Sequence, residues 1–145
     1  APKDSLMIVL TNSSLGDLYY QAGDFDQAKK CFERVLKRDP NNILAMNNYA
    51  YYLSQEGKNL KKAKEMSRKV IEAEPDNPTY VDTYAWILHL LGQDVEAKAM
   101  FKHAMLYGAK ESAVILEHYA TVLEALGEKD LASIYRNQAK AKNIE

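Results

Sequence analysis

Apolar residues recur along the 145-residue chain at intervals of three and four, the spacing of one helix face, and no segment stands out with the two-residue alternation of a strand. A longer period lies over this one. YAYYLSQEG from Tyr49, YAWILHLLG from Tyr84 and YATVLEALG from Tyr119 are near copies, and LG at Leu15 opens the same phrase, with steps of 34, 35 and 35. Glycines keep step at Gly23, Gly57, Gly92 and Gly127, and alanines follow at Ala28, Ala63, Ala97 and Ala132. Each unit reads as helix, glycine turn, helix. The pattern predicts an all-α fold of eight helices, at roughly 5–22, 25–38, 43–56, 60–73, 78–91, 94–107, 113–126 and 129–142.

Physical reasons attach to these positions. Gly16, Ala50, Ala85 and Ala120 on the first helices face Ala28, Ala63, Ala97 and Ala132 on the second, and the missing side-chain bulk lets the two backbones approach. One turn further on, Tyr19, Leu53, Leu88 and Leu123 flank the first set, and Phe32 and Phe101 flank the second, so all of these are expected in the core. Gly23 ends a helix, and Asp24 with Gln27 forms a capping-box pattern for the next. Asn77 before Pro78 marks another helix start, and Ser112 a third.

These residues together resemble the tetratricopeptide-repeat family. LGDLYYQAGDFDQAKKCFERVLKRDP, from Leu15 to Pro40, follows the family pattern throughout. Later units depart at four points: an extra residue between Gly57 and Ala63, Ser67 and Arg136 where aromatics are usual, and Ala109 in place of the closing proline. The resemblance implies a right-handed superhelical α-solenoid of four helix-turn-helix units, one array over 1–145 with repeats near 5–40, 41–76, 77–110 and 111–145. It also implies that first helices line a concave groove in which a protein or peptide binds. A looser resemblance, to such segments of exported bacterial proteins, implies the periplasmic part of something larger. The start at Ala1 rather than Met also suggests a processed product or an excised segment.

Composition narrows the function without naming it. Apolar residues make up 47% and charged residues 27%, with six Gly and four Pro, which is the profile of a folded helical chain. A net charge of -1 argues against a domain built wholesale for nucleic acid or an anionic membrane. Cys31 is the only cysteine, so no internal disulfide forms and the compartment stays open. The longest apolar run, LMIVL at Leu6–Leu10, is too short to cross a bilayer, so the chain reads as soluble with no membrane insertion. With no preceding unit to cover it, that run is expected to be a cut face or a face for weak self-association. Arg136 and Lys140 stand where Phe32 and Leu36 stand in the first repeat, so the last helix is expected to face water as its own cap.

Candidates for chemistry are few. His89, His103 and His118 fall on three helices with no paired spacing, so no metal site and no cofactor are expected. Cys31 sits beside core Phe32 with no histidine in its own repeat to activate it, and is expected to be a half-buried thiol. Asp82 and Glu117, on adjacent parallel helices about 10 Å apart, have nothing to isolate them from water as an acid/base pair. The chain reads as a non-enzyme.

Charge is distributed by helix. The first helices as drawn carry no basic residue, whereas Lys29, Lys30, Arg34, Lys37 and Arg38 crowd the second helix and Lys61, Lys62, Lys64, Arg68 and Lys69 the fourth. Interspersed Glu33, Glu65 and Glu72 make that convex run a solvated face. Asp17, Glu56, Asp82, Glu117 and Glu124 give the groove side a negative charge, so nucleic acid is not expected there. The family's clamp for an acidic C-terminal chaperone tail needs groove cations, and its places hold Ser13, Asp17, Thr79 and Thr83, with only Asn48 fitting.

Three ladders across the first helices form the expected peptide groove. Asp17, Tyr51, Trp86 and Thr121 make the first; Tyr20, Ser54, His89 and Glu124 the second; Ser13, Asn47, Asp82 and Glu117 the third. Trp86 lies about 200° round its helix from Tyr84 and is expected to point away from the core. The ligand that suits such a floor combines an apolar or aromatic side chain with lysine or arginine. Two readings stay open. In one, the array is an interaction scaffold; in the other, an assembly module spaces domains or self-associates through its ends while Tyr51 and Trp86 only stiffen it.

Overall fold

The computed structural model describes residues 2–144. Eight α-helices run through the described residues: α1 (Pro2–Gln21), α2 (Phe25–Arg38), α3 (Ile43–Glu56), α4 (Leu60–Ala73), α5 (Pro78–Leu90), α6 (Asp94–Met105), α7 (Ala113–Ala125) and α8 (Lys129–Ile144). No strand occurs among the described residues, and a short 3-10 turn, Ala109–Glu111, precedes α7. The helices pair antiparallel as α1/α2, α3/α4, α5/α6 and α7/α8, and the pairs stack into a right-handed solenoid. Boundaries fall close to those expected, except that α1 begins at Pro2.

Small residues set the crossing within each pair. Gly16 and the seven alanines that face one another across the pairs are all buried. At Gly16 the fit is tightest, since a β-carbon there would lie 2.9 Å from the ring of Phe32. The pairs are then joined by aromatic stacks. Phe32 on α2 stacks on Tyr49 of α3 with ring centres 5.7 Å apart, and Phe101 on α6 stacks on Tyr119 of α7 at 5.5 Å. One contact thus recurs at the first and last junctions.

The middle junction differs because Ser67 stands in the aromatic place. With that bulk gone, α4 and α5 pack more extensively than α2 with α3 or α6 with α7. The buried residues group into one cluster centred on the first two pairs, which also takes in Ile87 of α5, and a second centred on the last two, against which Ile71 of α4 packs. Close approach leaves the Ser67 hydroxyl fully buried with no hydrogen-bond partner.

Local punctuation follows the sequence with two adjustments. Asp24, Asn77 and Ser112 each accept from a backbone N–H three residues on, at 3.1–3.2 Å. The box at Asp24 is closed on one side only, because its own N–H donates to the Tyr19 carbonyl instead of meeting Gln27. The extra residue before α4 is absorbed by Asn59, whose φ of 48° puts a non-glycine residue in the left-handed region.

Three expected burials are corrected. Tyr19 is exposed, as is Leu15 at 39%, while Tyr49 at the equivalent of Leu15 is 1% exposed. In interior pairs those positions are covered by the preceding second helix, and no preceding pair stands before α1 in the described residues. Cys31 is fully buried rather than half-buried, on a helix that packs against both α1 and α3. Arg136 is half-buried rather than turned to water, held by carboxylates on α7, while Lys140 is exposed as expected.

Two outcomes follow from this packing. Ser67→Ala removes a buried hydroxyl that bonds to nothing, so the midpoint of urea unfolding should rise by the equivalent of about 1 kcal/mol; a fall would mean that the hydroxyl holds the junction. Burial, with Tyr135 and Glu128 nearby, pushes the Tyr119 phenol up to about 12. The folded state thus favours the protonated form, so its stabilising effect is intact below about pH 10 and is lost as pH rises from there to 12. Alkaline melts of Tyr119→Phe should show a shallower decline across that window.

Candidate functional site

The inner surface of the solenoid belongs to the first helices. α1, α3, α5 and α7 touch in succession, whereas α2, α4, α6 and α8 make no comparable contacts with each other, so the stack curves towards the first helices. That curvature makes their shared face the concave side.

The ladder residues divide on this side by burial. Asp17, Tyr20, Tyr51, Trp86, His89, Glu117 and Thr121 are half-buried and Glu124 is exposed, while Asn47, Ser54 and Asp82 are buried. The buried ones lie in the seams between first helices. Other ladder members cross those seams too. Asp17 accepts from the Tyr52 hydroxyl at 2.9 Å and from Asn48 at 3.5 Å, and Tyr20 stacks on Tyr52 with ring centres 3.9 Å apart. Trp86 stacks on His118 of α7 at 4.1 Å and also meets His89 at 4.9 Å. Tyr51 instead neighbours Tyr52 and accepts from Gln55. The two aromatics expected side by side therefore take different ring neighbours.

Carboxylates on this side are mostly answered. His118 Nδ1 lies 2.8 Å from Asp82 Oδ1, and Arg136 reaches over from α8 to Glu117, Thr121 and Glu124. Asp82 and Glu117 thus have separate partners on separate elements. Asp17 is different: its partners are the neutral Tyr52 and Asn48, with no cation within ion-pair distance among the described residues. His89 meets Asp94 and His103 meets Asp76, and no three potential metal ligands gather among the described residues.

One pocket opens between α3, α5 and α7, with a volume of about 290 Å³. Asn47, Tyr51 and Asp82 line it together with Asn48, Tyr52, Thr79, Thr83, Ser112, Val114 and Ile115, and no lysine or arginine is among them. Asn47 is 5% exposed and its Oδ1 has no hydrogen-bond partner. Sequence reading missed most of this wall. Asn48, Thr79 and Thr83 were visible as clamp positions without clamp residues, but Ser112 and Val114 come from the start of α7, where a cap and an exposed valine carry no signal of a site.

Two tetratricopeptide-repeat family models match the chain, at residues 11–42 and 31–65. The fold is shared with a thermophilic TPR protein of Thermus thermophilus, at a TM-score of 0.83 over 92% of this chain and 73% of that one, with 23% identity. Residues 11–65 match tetratricopeptide-repeat models, and the whole chain shares the fold of tetratricopeptide-repeat solenoids. PilW, described as a widely conserved type IV pilus biogenesis factor, is 25% identical with a TM-score of 0.82, over 94% of this chain and 62% of PilW. An uncharacterised protein, ycf37, of Pyropia yezoensis is 40% identical over 57 residues, 38% of this chain and 32% of that protein. The match thus spans about a third of that curated relative. The tetratricopeptide fold is a scaffold for protein–protein interaction, and its family is generally non-catalytic. No helix among the described residues is long and apolar enough to cross a membrane.

In this array the Tyr52 hydroxyl ties the first two groove helices to one carboxylate. Tyr52→Phe keeps the stack on Tyr20 and loses that bond, so unfolding should cost about 1–2 kcal/mol less than in the parent. Tyr51→Phe, whose hydroxyl meets only exposed Gln55, should change stability by less than half as much in the same urea titration.

Proposed function

We propose that the array captures an extended protein segment along its concave face, with the pocket between α3, α5 and α7 as the anchor. The observation that carries this reading is the pocket itself: aromatic walls from Tyr51 and Tyr52, amides from Asn47 and Asn48, hydroxyls from Thr79, Thr83 and Ser112, and no cation. Aromatic rings amid hydrogen-bonding groups are the composition of interface hot spots. Amides at 47 and 48 suit a peptide backbone, which offers a donor and an acceptor at every residue.

The ligand chemistry follows from the charges left unanswered. Arg136 offsets one of the two charges of Glu117 and Glu124, and His118 meets Asp82 by a hydrogen bond, while Asp17 and exposed Glu56 have no ion pair among the described residues, so the groove attracts a cation, above all towards Asp17 and Glu56 at the α1 end. The segment that suits the groove places an apolar or aromatic side chain in the pocket and lysine or arginine towards α1. A carboxylate-rich tail meets no groove cation except Arg136 and binds poorly. The array acts by holding such a segment, without chemistry on it.

An immobilised array of ten-residue peptides tests this, half with an aromatic residue flanked by lysine or arginine and half ending in aspartate and glutamate. The first set should bind and the second should not. Trp86→Ala should weaken the retained peptides about thirtyfold, roughly 2 kcal/mol, and Tyr51→Ala comparably. Equal retention of both sets, or unchanged affinity in both variants, would remove the groove from the function.

A further inference from the structure

We infer that the outer face of α1 is a docking surface for a second copy of the chain, and that two molecules pair through their α1 helices about a twofold axis. Leu6, Met7, Leu10 and Leu18 are 56–63% exposed, and Leu15 and Tyr19 add to them, giving a broad apolar stripe on the side of α1 away from Val9 and Gly16. Among the described residues no other helix exposes so many large apolar side chains. Scattered apolar residues need no explanation, but six large ones exposed on one side of a single helix mark an interaction site.

The stripe continues an interface already present inside the molecule. α1 is first in the series α1, α3, α5, α7, and the equivalents of Leu15 and Tyr19 on α3, Tyr49 and Leu53, are buried beneath α2. The face is therefore shaped to receive a helix rather than a loop or a flat surface. Charge permits a like partner. From Ser5 to Gly16, α1 carries no ionisable residue, so laying two α1 faces together there buries no charge and opposes no like charges.

Size and closure agree. The six side chains leave on the order of 500–600 Å² open per molecule, so a symmetric pair removes roughly 1,100 Å² from water, near the lower edge of specific interfaces. The other way to cover α1, head-to-tail against the α8 end of another copy, is disfavoured. Arg136 stands there in the place of Phe32, drawn to Glu117, Thr121 and Glu124, and exposed Lys140 stands in the place of Leu36. Pressing those cations against leucines would strip their water without a partner. A contact of one patch with itself closes at two molecules.

Sedimentation equilibrium of the full chain from about 1 to 500 µM should give a monomer–dimer isotherm. Leu10→Glu should raise the dissociation constant at least tenfold with unchanged helical circular dichroism, since Leu10 lies outside the core. Ser14→Cys, in the middle of the stripe, should form a disulfide-linked dimer under mild oxidation, whereas Lys140→Cys should not; buried Cys31 does not interfere. A chain that stays monomeric throughout, association that runs on to open-ended polymers, or cross-linking only when Ser14→Cys and Lys140→Cys molecules are mixed would overturn the proposal. So would a monomer that instead co-sediments with vesicles of phosphatidylcholine and phosphatidylserine and loses that binding in Leu10→Glu.

Discussion

Everything in this molecule depends on the crossing of two helices at residues without bulk. Gly16 against Phe32, and then alanine facing alanine in the next three pairs, let backbones come close enough for the larger side chains to interlock on either side. Because each crossing occupies the same place in its unit, every pair has the same shape. Like shapes stacked with similar offsets generate a superhelix. The concave face is a by-product of this repetition.

What joins one pair to the next is less uniform, and there the chain acquires its individuality. Two junctions use an aromatic stack, and the third dispenses with it and closes the helices directly over Ser67. A hydroxyl buried without a partner is a local cost accepted for that close approach. The pocket on the concave side lies beside this same junction, between α3, α5 and α7.

The groove electrostatics show how a formal charge differs from an available one. The carboxylates on the concave side look alike in the sequence. In the folded chain Asp82 belongs to His118, Glu117 and Glu124 belong to Arg136, and Asp17 has only neutral donors. A carboxylate held by a guanidinium leaves less field for a ligand, while one with only neutral donors keeps its charge on offer.

The helices, their pairing and the core were legible in the sequence because each rests on a short-range or periodic rule. Glycine at a left-handed turn, a cap three residues before its N–H, and small residues facing across a hairpin are decided within one unit, so Gly23, Ser112 and Ala63 announce their roles. The ladder of first-helix residues was legible for the same reason. Contacts between units were not. That Trp86 lies on His118 rather than beside Tyr51, and that Tyr19 is uncovered while Leu53 is buried, depend on which neighbour stands across a gap of about thirty residues or on whether one stands there at all, and even within a unit the fold of Arg136 back over α7 depends on which carboxylates the paired helix presents. Periodicity specifies equivalent positions. Only the packed structure decides their neighbours, because a side chain's burial and charge partner are properties of the space it enters and not of the helix that carries it.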